Sequence, residues 1–315
     1  NEYVFEDGAW RIALLHHHPQ FAGTHAEGWR NVTDDVPLVP FHFTPDGAGT
    51  PLPARVPAGA VVADAAARAQ RLVDESLVQN LLAAYGQYVD RKLWSDVADL
   101  FGGDGVLAWG ADRWSGRDAI RAGLEAISPE GLRHGEFHDH LQLMPVVTVE
   151  PDGLVAHARV IELQCLAVHG ESAHWGVRIG TGRFEKSGGT WRIADLSYAP
   201  RLLAAHASGW ATDSLDAGPA AYPHNVGPAV DFAHPVTDAP RAGAGDAGVG
   251  DAGVGDAQTR RLLETALAFD AAANLAYAYG YYLDEAHWDE TAELFSREGW
   301  KELSFVGTYI GRERI

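Results

Sequence analysis

Gly188-Gly189-Thr190-Trp191-Arg192-Ile193-Ala194 repeats, almost residue for residue, a stretch near the start of the chain, Asp7-Gly8-Ala9-Trp10-Arg11-Ile12-Ala13. The offset is 181 positions (191 − 10), and it holds without a gap through Pro19/Pro200, His25/His206 and Gly28-Trp29/Gly209-Trp210. Self-similarity at a fixed spacing takes precedence over local propensity, because a repeat divides the chain before any element is assigned. A second match runs elsewhere. Asn80, Ala84-Tyr85-Gly86, Tyr88, Asp90, Trp94, Ala98 and Leu100-Phe101 recur as Asn274, Ala278-Tyr279-Gly280, Tyr282, Asp284, Trp288, Ala292 and Leu294-Phe295, an offset of 194 (284 − 90). One further residue of slip aligns Gly116-Arg117 and Ile120 with Gly311-Arg312 and Ile315.

The first match pairs domain ends and the second pairs domain beginnings. The sequence therefore reads as a tandem array: 1–50 is the C-terminal part of a first domain, and 64–240 is a complete domain. A linker follows over 241–257, and 258–315 is the N-terminal helical part of a further copy. On this reading the chain stops as its third copy is about to enter a third helix. The linker contains Gly245-Asp246-Ala247-Gly248-Val249 and its near copies, small residues with a regular acid that bury too little surface to offset ordering entropy. Pro51 to Gly59 reads as a looser connection before the complete copy.

Within the complete copy the periodicity changes once. Leu72, Val73, Leu77, Leu81, Ala84 and Tyr85 recur at helical spacing over about 64–90, and a shorter helix is expected across 92–101. Gly102-Gly103-Asp104-Gly105 reads as a turn, Val106 to Trp109 as a short strand, and Gly116 to Ile127 as a third helix stopped before Pro129. Beyond Pro129 the pattern is β, with strands expected over 138–149, 154–168, 173–185 and 190–198, separated by Gly- or Pro-rich turns. Helices first and then a meander of long strands predicts a segregated α+β fold. The expected form is a cone-shaped roll, a curved antiparallel sheet whose helices enclose an apolar pocket suited to a small molecule.

Composition limits the partners. The formal net charge of −19 argues against nucleic acid and anionic membrane, which both select basic surfaces. No apolar run is long enough for a membrane span. A soluble protein is expected, cytoplasmic in preference to exported, although a leader would lie upstream of Asn1. The single cysteine, Cys165, excludes an internal disulfide framework and reads as a buried bystander.

Several motifs together resemble the SnoaL-like domain, a branch of the nuclear transport factor 2-like superfamily. They are Tyr85-Gly86-x-Tyr88-Val89-Asp90-x-Lys92-x-Trp94, Leu100-Phe101, Gly116-Arg117-x-x-Ile120, His138-Asp139-His140-x-Gln142-Leu143-x-Pro145-Val146-Val147 and Gly189-x-Trp191-Arg192-Ile193. The resemblance covers most of 70–210 and, more weakly, the flanking segments. It implies proton-transfer chemistry without a cofactor, as in the dehydratases and isomerases of the family. It also implies that a helix-borne Tyr, an Asp five residues later and a strand-borne His line the pocket. Tyr85, Asp90 and His140 or His138 match that arrangement, and Tyr279 and Asp284 repeat the first two.

The residues themselves leave a plainer reading beside this one. Tyr85 and Asp90 are about one and a half helical turns apart and share a face only if the helix ends between them. An Asp in an apolar cavity can carry a proton and a Tyr hydroxyl can polarise an oxygen. Equally, Tyr85 can pack in the core while Asp90 caps the second helix. His138 and His140, at i and i+2 on a strand, share a face and can titrate near neutral pH, or lie on the solvent side of the sheet. Trp109, Trp114 and Trp175, with Arg117, are the candidate substrate-binding residues. Their competing roles are core packing for the indoles and fixing a helix start for Arg117. His16-His17-His18 suggests a metal cluster, but Ser197-Tyr198-Ala199 stands at the equivalent place, and no metal is expected.

The leading expectation is a cofactor-independent lyase or isomerase acting on a hydrophobic, cyclic, oxygenated small molecule. The alternative is a non-catalytic binding or assembly module, and in either case self-association through the sheets is expected.

Overall fold

The structure, a computed structural model, describes residues 2–6, 9–15, 44–48, 65–207, 255–284, 286–303 and 306–315. His16-His17-His18, the Pro51–Gly59 stretch and residues 241–254 of the expected linker lie outside them. The chain divides into two compact units, one holding 5–10 and 70–244, the other 1–4, 11–69 and 245–315. Strands β1 (Glu2–Glu6) and β2 (Ala9–Leu14) pair as a two-stranded sheet, and α1 (Pro45–Ala48) is a single turn.

In the larger unit the helices come first. Helix α2 (Ala65–Asp90) buries Val78, Leu82, Tyr85 and Val89, a row spaced four, three and four residues apart along one face. It ends at Lys92, which takes a left-handed backbone (φ 54°), while the Leu93 N–H donates to the Tyr88 carbonyl at 2.9 Å. Helix α3 (Trp94–Asp99) adds Trp94, Val97 and Ala98 to the core, and α4 (Arg117–Ile127) adds Ile120 and Leu124.

The strands are β3 (Phe101–Trp109), β4 (Asp112–Ser115), β5 (Glu136–Val149), β6 (Val155–Val168), β7 (Ser172–Ser187) and β8 (Thr190–Ala205). They form one sheet in the order β4-β3-β8-β7-β6-β5, antiparallel except where β3 runs parallel to β8. This is the α+β architecture expected from the pattern, with two corrections. Gly102-Gly103-Asp104-Gly105 is not a turn but lies inside β3, where the register against β8 shifts between Phe101 and Val106. A Cβ on Gly105 would lie 2.9 Å from the Ile193 carbonyl oxygen, so only glycine fits that irregularity. The short β4 was not foreseen.

Register shifts at Leu143/Val146, Val177/Arg178 and Arg183/Phe184 bend the long strands, and the sheet stays open and curved. Pro145 sits in the first of these shifts on the edge strand β5. Pro200 sits at the second, where a missing backbone donor is tolerated. The inner face of β6 reads Ala156, Ala158 and Val160 and then turns polar at Glu162 and Gln164.

The smaller unit carries α5 (Gly255–Asp284), α6 (Trp288–Glu293) and a hairpin of β9 (Trp300–Leu303) and β10 (Gly307–Ile310). Local geometry recurs at the repeat offset. Ala286 takes the left-handed turn (φ 57°), and the His287 N–H donates to the Tyr282 carbonyl at 2.8 Å. Tyr279 meets Phe295 edge-on at 5.9 Å, as Tyr85 meets Phe101 at 6.4 Å. Among the described residues no helix is long and apolar enough to cross a membrane.

Candidate functional site

The polar part of the inner sheet face lies under the C-terminal end of α2. Gly86 sets the approach: a Cβ there would stand 2.9 Å from Gln142 Cγ and 3.1 Å from the His140 carbonyl oxygen. The close contact brings Asp90 onto β5, where its Oδ1 accepts the His140 backbone N–H at 2.5 Å and lies 3.5 Å from His140 Nδ1. The second distance is an ion-pair contact, not a formed hydrogen bond, and Nδ1 is otherwise buried without a partner. Asp90 does not cap α3. The residue at that helix start is Leu93, with no side-chain cap.

Both histidines face the helices, their rings 4.4 Å apart, and His140, 2% exposed, is the one that meets Asp90. Burial lowers the His138 pKa to about 4, helped by the neighbouring His140 and Lys92. Lys92 itself is buried, donating to Ser128 Oγ at 2.9 Å and to Glu136.

Tyr85 is fully buried. It stacks on Tyr198 at 5.7 Å, and its hydroxyl accepts the Trp109 Nε1–H at 2.8 Å. Burial, then the nearby Glu162 carboxylate, drives its pKa well above the ordinary phenol value. Trp109 in turn lies parallel to His140 with centroids 6.3 Å apart. Deeper in, Glu162 Oε1 accepts Arg178 Nε–H at 2.6 Å, and Arg178 Nη2 lies 2.5 Å from the same oxygen but out of line for a hydrogen bond. Gln142 ties the cluster together: its amide donates to Glu162 Oε2 at 3.0 Å and its oxygen accepts the Tyr198 hydroxyl at 2.8 Å. The Arg178 guanidinium packs over Trp109 at 4.6 Å and Tyr198 at 5.0 Å.

Beside this cluster opens a cavity of about 240 Å³, walled by Trp109, Ile127, Pro200, Leu202 and Leu203, with Gln164 and Arg178 as its buried polar lining. Of the sequence candidates only Trp109 lines it. Trp114 instead lies across Gly123 of α4, where a Cβ would come 2.2 Å from its Nε1. Trp175 stacks on His206 at 5.8 Å. Arg117 does not line this cavity. Its Nε donates to the Phe101 carbonyl at 2.8 Å, as Arg312 does to Phe295 in the smaller unit. Tyr279 is half-buried with Lys301 Nζ 5.2 Å from its ring centre, and the Asp284 side chain lies outside the described residues. Cys165 is half-buried, not buried.

Glu162, Gln164 and Arg178 were missed. Their trace was the alternation along β6, which places Glu162 and Gln164 on the same face as Ala156, Ala158 and Val160. Among the described residues no group of three or more His, Cys, Asp or Glu is placed to hold a metal ion.

The family model described as SnoaL-like domain matches residues 70–197 and 264–315. No curated protein matches the chain. Among solved structures, the chain is similar to a protein from Novosphingobium aromaticivorans provisionally described as a scytalone dehydratase, at 17% identity and TM-score 0.38. That match covers 43% of this chain and 89% of the other. An NTF2-like protein with a cystatin-like fold from the same organism is 26% identical with TM-score 0.38, over 45% and 91% of the two chains. The hexachlorocyclohexane dehydrochlorinase LinA-type3 of Novosphingobium barchaimii is 14% identical with TM-score 0.38, over 43% and 92%.

Proposed function

The chain belongs to the SnoaL-like domain family, and from that premise we propose that residues 70–207 form a small-molecule enzyme that moves a proton without a cofactor. The observation that carries this reading is the Asp90–His140 contact: a carboxylate oxygen lies 3.5 Å from a buried imidazole nitrogen, one indole away from a largely apolar cavity. The substrate is a hydrophobic, cyclic, oxygenated molecule, matching the cavity walls.

In this reading the ligand displaces the Trp109 indole as it enters, and two groups become available together. The Tyr85 hydroxyl loses its Trp109 donor and turns to the ligand's oxygen. His140 Nε2 takes the proton from the adjacent carbon while Asp90 steadies the ring through Nδ1. The C–H electron pair forms the new double bond. In a dehydration the hydroxyl leaves as water with the proton that His140 returns; in an isomerisation the proton is returned to another carbon.

The test is Asp90→Asn, after a substrate is found by screening hydroxylated cyclic compounds. Asn keeps an oxygen for the His140 N–H, so the circular dichroism spectrum should be unchanged, while turnover should drop by about 10²-fold or more. Unaltered turnover in the folded variant would exclude the Asp90–His140 assignment. A binding module is the second reading. What favours it is that the cavity wall itself carries Trp109, Gln164 and Arg178 but none of Tyr85, Asp90 or His140.

A further inference from the structure

Three polar side chains line the cavity: Asp112, which is exposed, and Gln164 and Arg178, which are buried. Gln164 is 8% exposed, lines the cavity, and its amide makes no hydrogen bond to any described residue. Its amide atoms are open to solvent on the cavity side, so a ligand oxygen would take the place of water there. The fold makes room for it: on the neighbouring strand a Cβ at Gly176 would stand 2.4 Å from Gln164 Oε1. Arg178, also 8% exposed, lines the same cavity. Only its Nε–H is committed in a hydrogen bond, to Glu162, and its plane is fixed by Trp109 and Tyr198.

We propose that Arg178 and Gln164 form a subsite for an sp² acceptor oxygen, a carbonyl or carboxylate, borne on the ring of the ligand. The ring itself lies against Ile127, Pro200, Leu202 and Leu203. Glu162 cancels the charge of Arg178 at a distance, so the subsite selects by hydrogen-bond donors at close range and admits a neutral carbonyl as well as an anion. This inference rests on the cavity being the ligand site, and it deepens the proposed function by naming the group the ligand must carry.

The test is titration calorimetry on the whole chain with three probes of matched shape: 2-acetylnaphthalene, 2-naphthoate and 2-ethylnaphthalene. The first two should bind about tenfold or more tightly than the third, the difference expected from pairing two buried polar groups. Gln164→Leu keeps the Arg178–Glu162 pair and should erase most of that preference for the oxygenated probes over 2-ethylnaphthalene. Arg178→Lys should weaken the oxygenated probes alone. Equal binding of all three to the unaltered chain would overturn the subsite and leave the proton-transfer reading standing. A preference that survives in Gln164→Leu at full strength would also overturn it. Oxygen-dependent binding without turnover of any screened substrate would instead support the subsite and count against the enzyme. Binding of none of the three would remove the cavity as the ligand site altogether.

Discussion

His138 is held in a form that the unfolded chain would abandon in mild acid. In the unfolded chain its imidazole takes a proton near 6.5; in the fold it does so only near 4, because burial and the adjacent His140 oppose the charge. Between those values the unfolded state binds more protons, so stability rises with pH across the window and falls as acid is added. Glu136 acts in the same direction at lower pH. The Arg133 backbone N–H and the Lys92 ammonium hold its pKa at about 2, so its contribution is present above 4.5 and is lost only as pH falls through about 2. Thermal unfolding between about pH 7 and pH 4.5 therefore reads the histidine apart from Glu136, against the opposing contribution of Glu75, whose pKa burial raises. His138→Gln should flatten the fall in Tm over that range, and an unchanged slope would contradict the assignment. At this scale the sequence was half legible. The i, i+2 spacing showed that the two histidines share a face, and Asp90 was in view as their partner. Glu162, Gln164 and Arg178 were not, because charged residues in a strand are informative only once its buried face is fixed.

Among the elements, the approach of α2 to β5 decides whether Asp90 can reach His140. Gly86 is the residue that sets it, since an added Cβ meets Gln142 and the His140 backbone within 3.1 Å. Gly86→Ala should push the two elements apart and cost about 1–3 kcal/mol despite the better helix propensity of alanine. Its counterpart on α5, Gly280, has nothing within 4 Å of an added Cβ. Gly280→Ala should therefore stabilise that helix, by about 0.5–1 kcal/mol. Urea unfolding of the two variants checks both signs, and a Gly86→Ala variant as stable as the parent would dismiss the close-approach argument. The same comparison shows why elements were readable and their irregularities were not. Helix and strand follow from periodicity that survives in any single copy. The bulges at Phe101/Val106 and Leu143/Val146 are fixed by contacts between strands far apart in sequence, such as Gly105 against Ile193. A Gly-rich stretch that bends inside a strand looks the same in sequence as one that ends it.

For the molecule as a whole, charge and apolar surface act in opposite directions. The face of the sheet turned away from the helices carries Phe137, Leu141 and Leu143, each more than a third exposed, with Asp139 among them, beside half-buried Ile161, Leu163 and Cys165 of β6. An apolar patch of this kind marks an interaction surface more often than chance exposure. We propose that two copies of the chain meet through it, against the mutual repulsion of chains carrying a formal charge of −19 each. Salt shortens the reach of that repulsion, to roughly 10 Å at 0.1 M, without weakening apolar contact. Association measured by sedimentation should therefore tighten as sodium chloride is raised. Leu141→Lys then separates the two forces. It makes the chain less negative, so if charge alone governed self-association the variant would associate more tightly. If the apolar face is the contact, a lysine placed against Leu163 must be desolvated, and association should weaken by about tenfold or more at every salt concentration. A tighter complex in the variant would rule out this face as the contact surface.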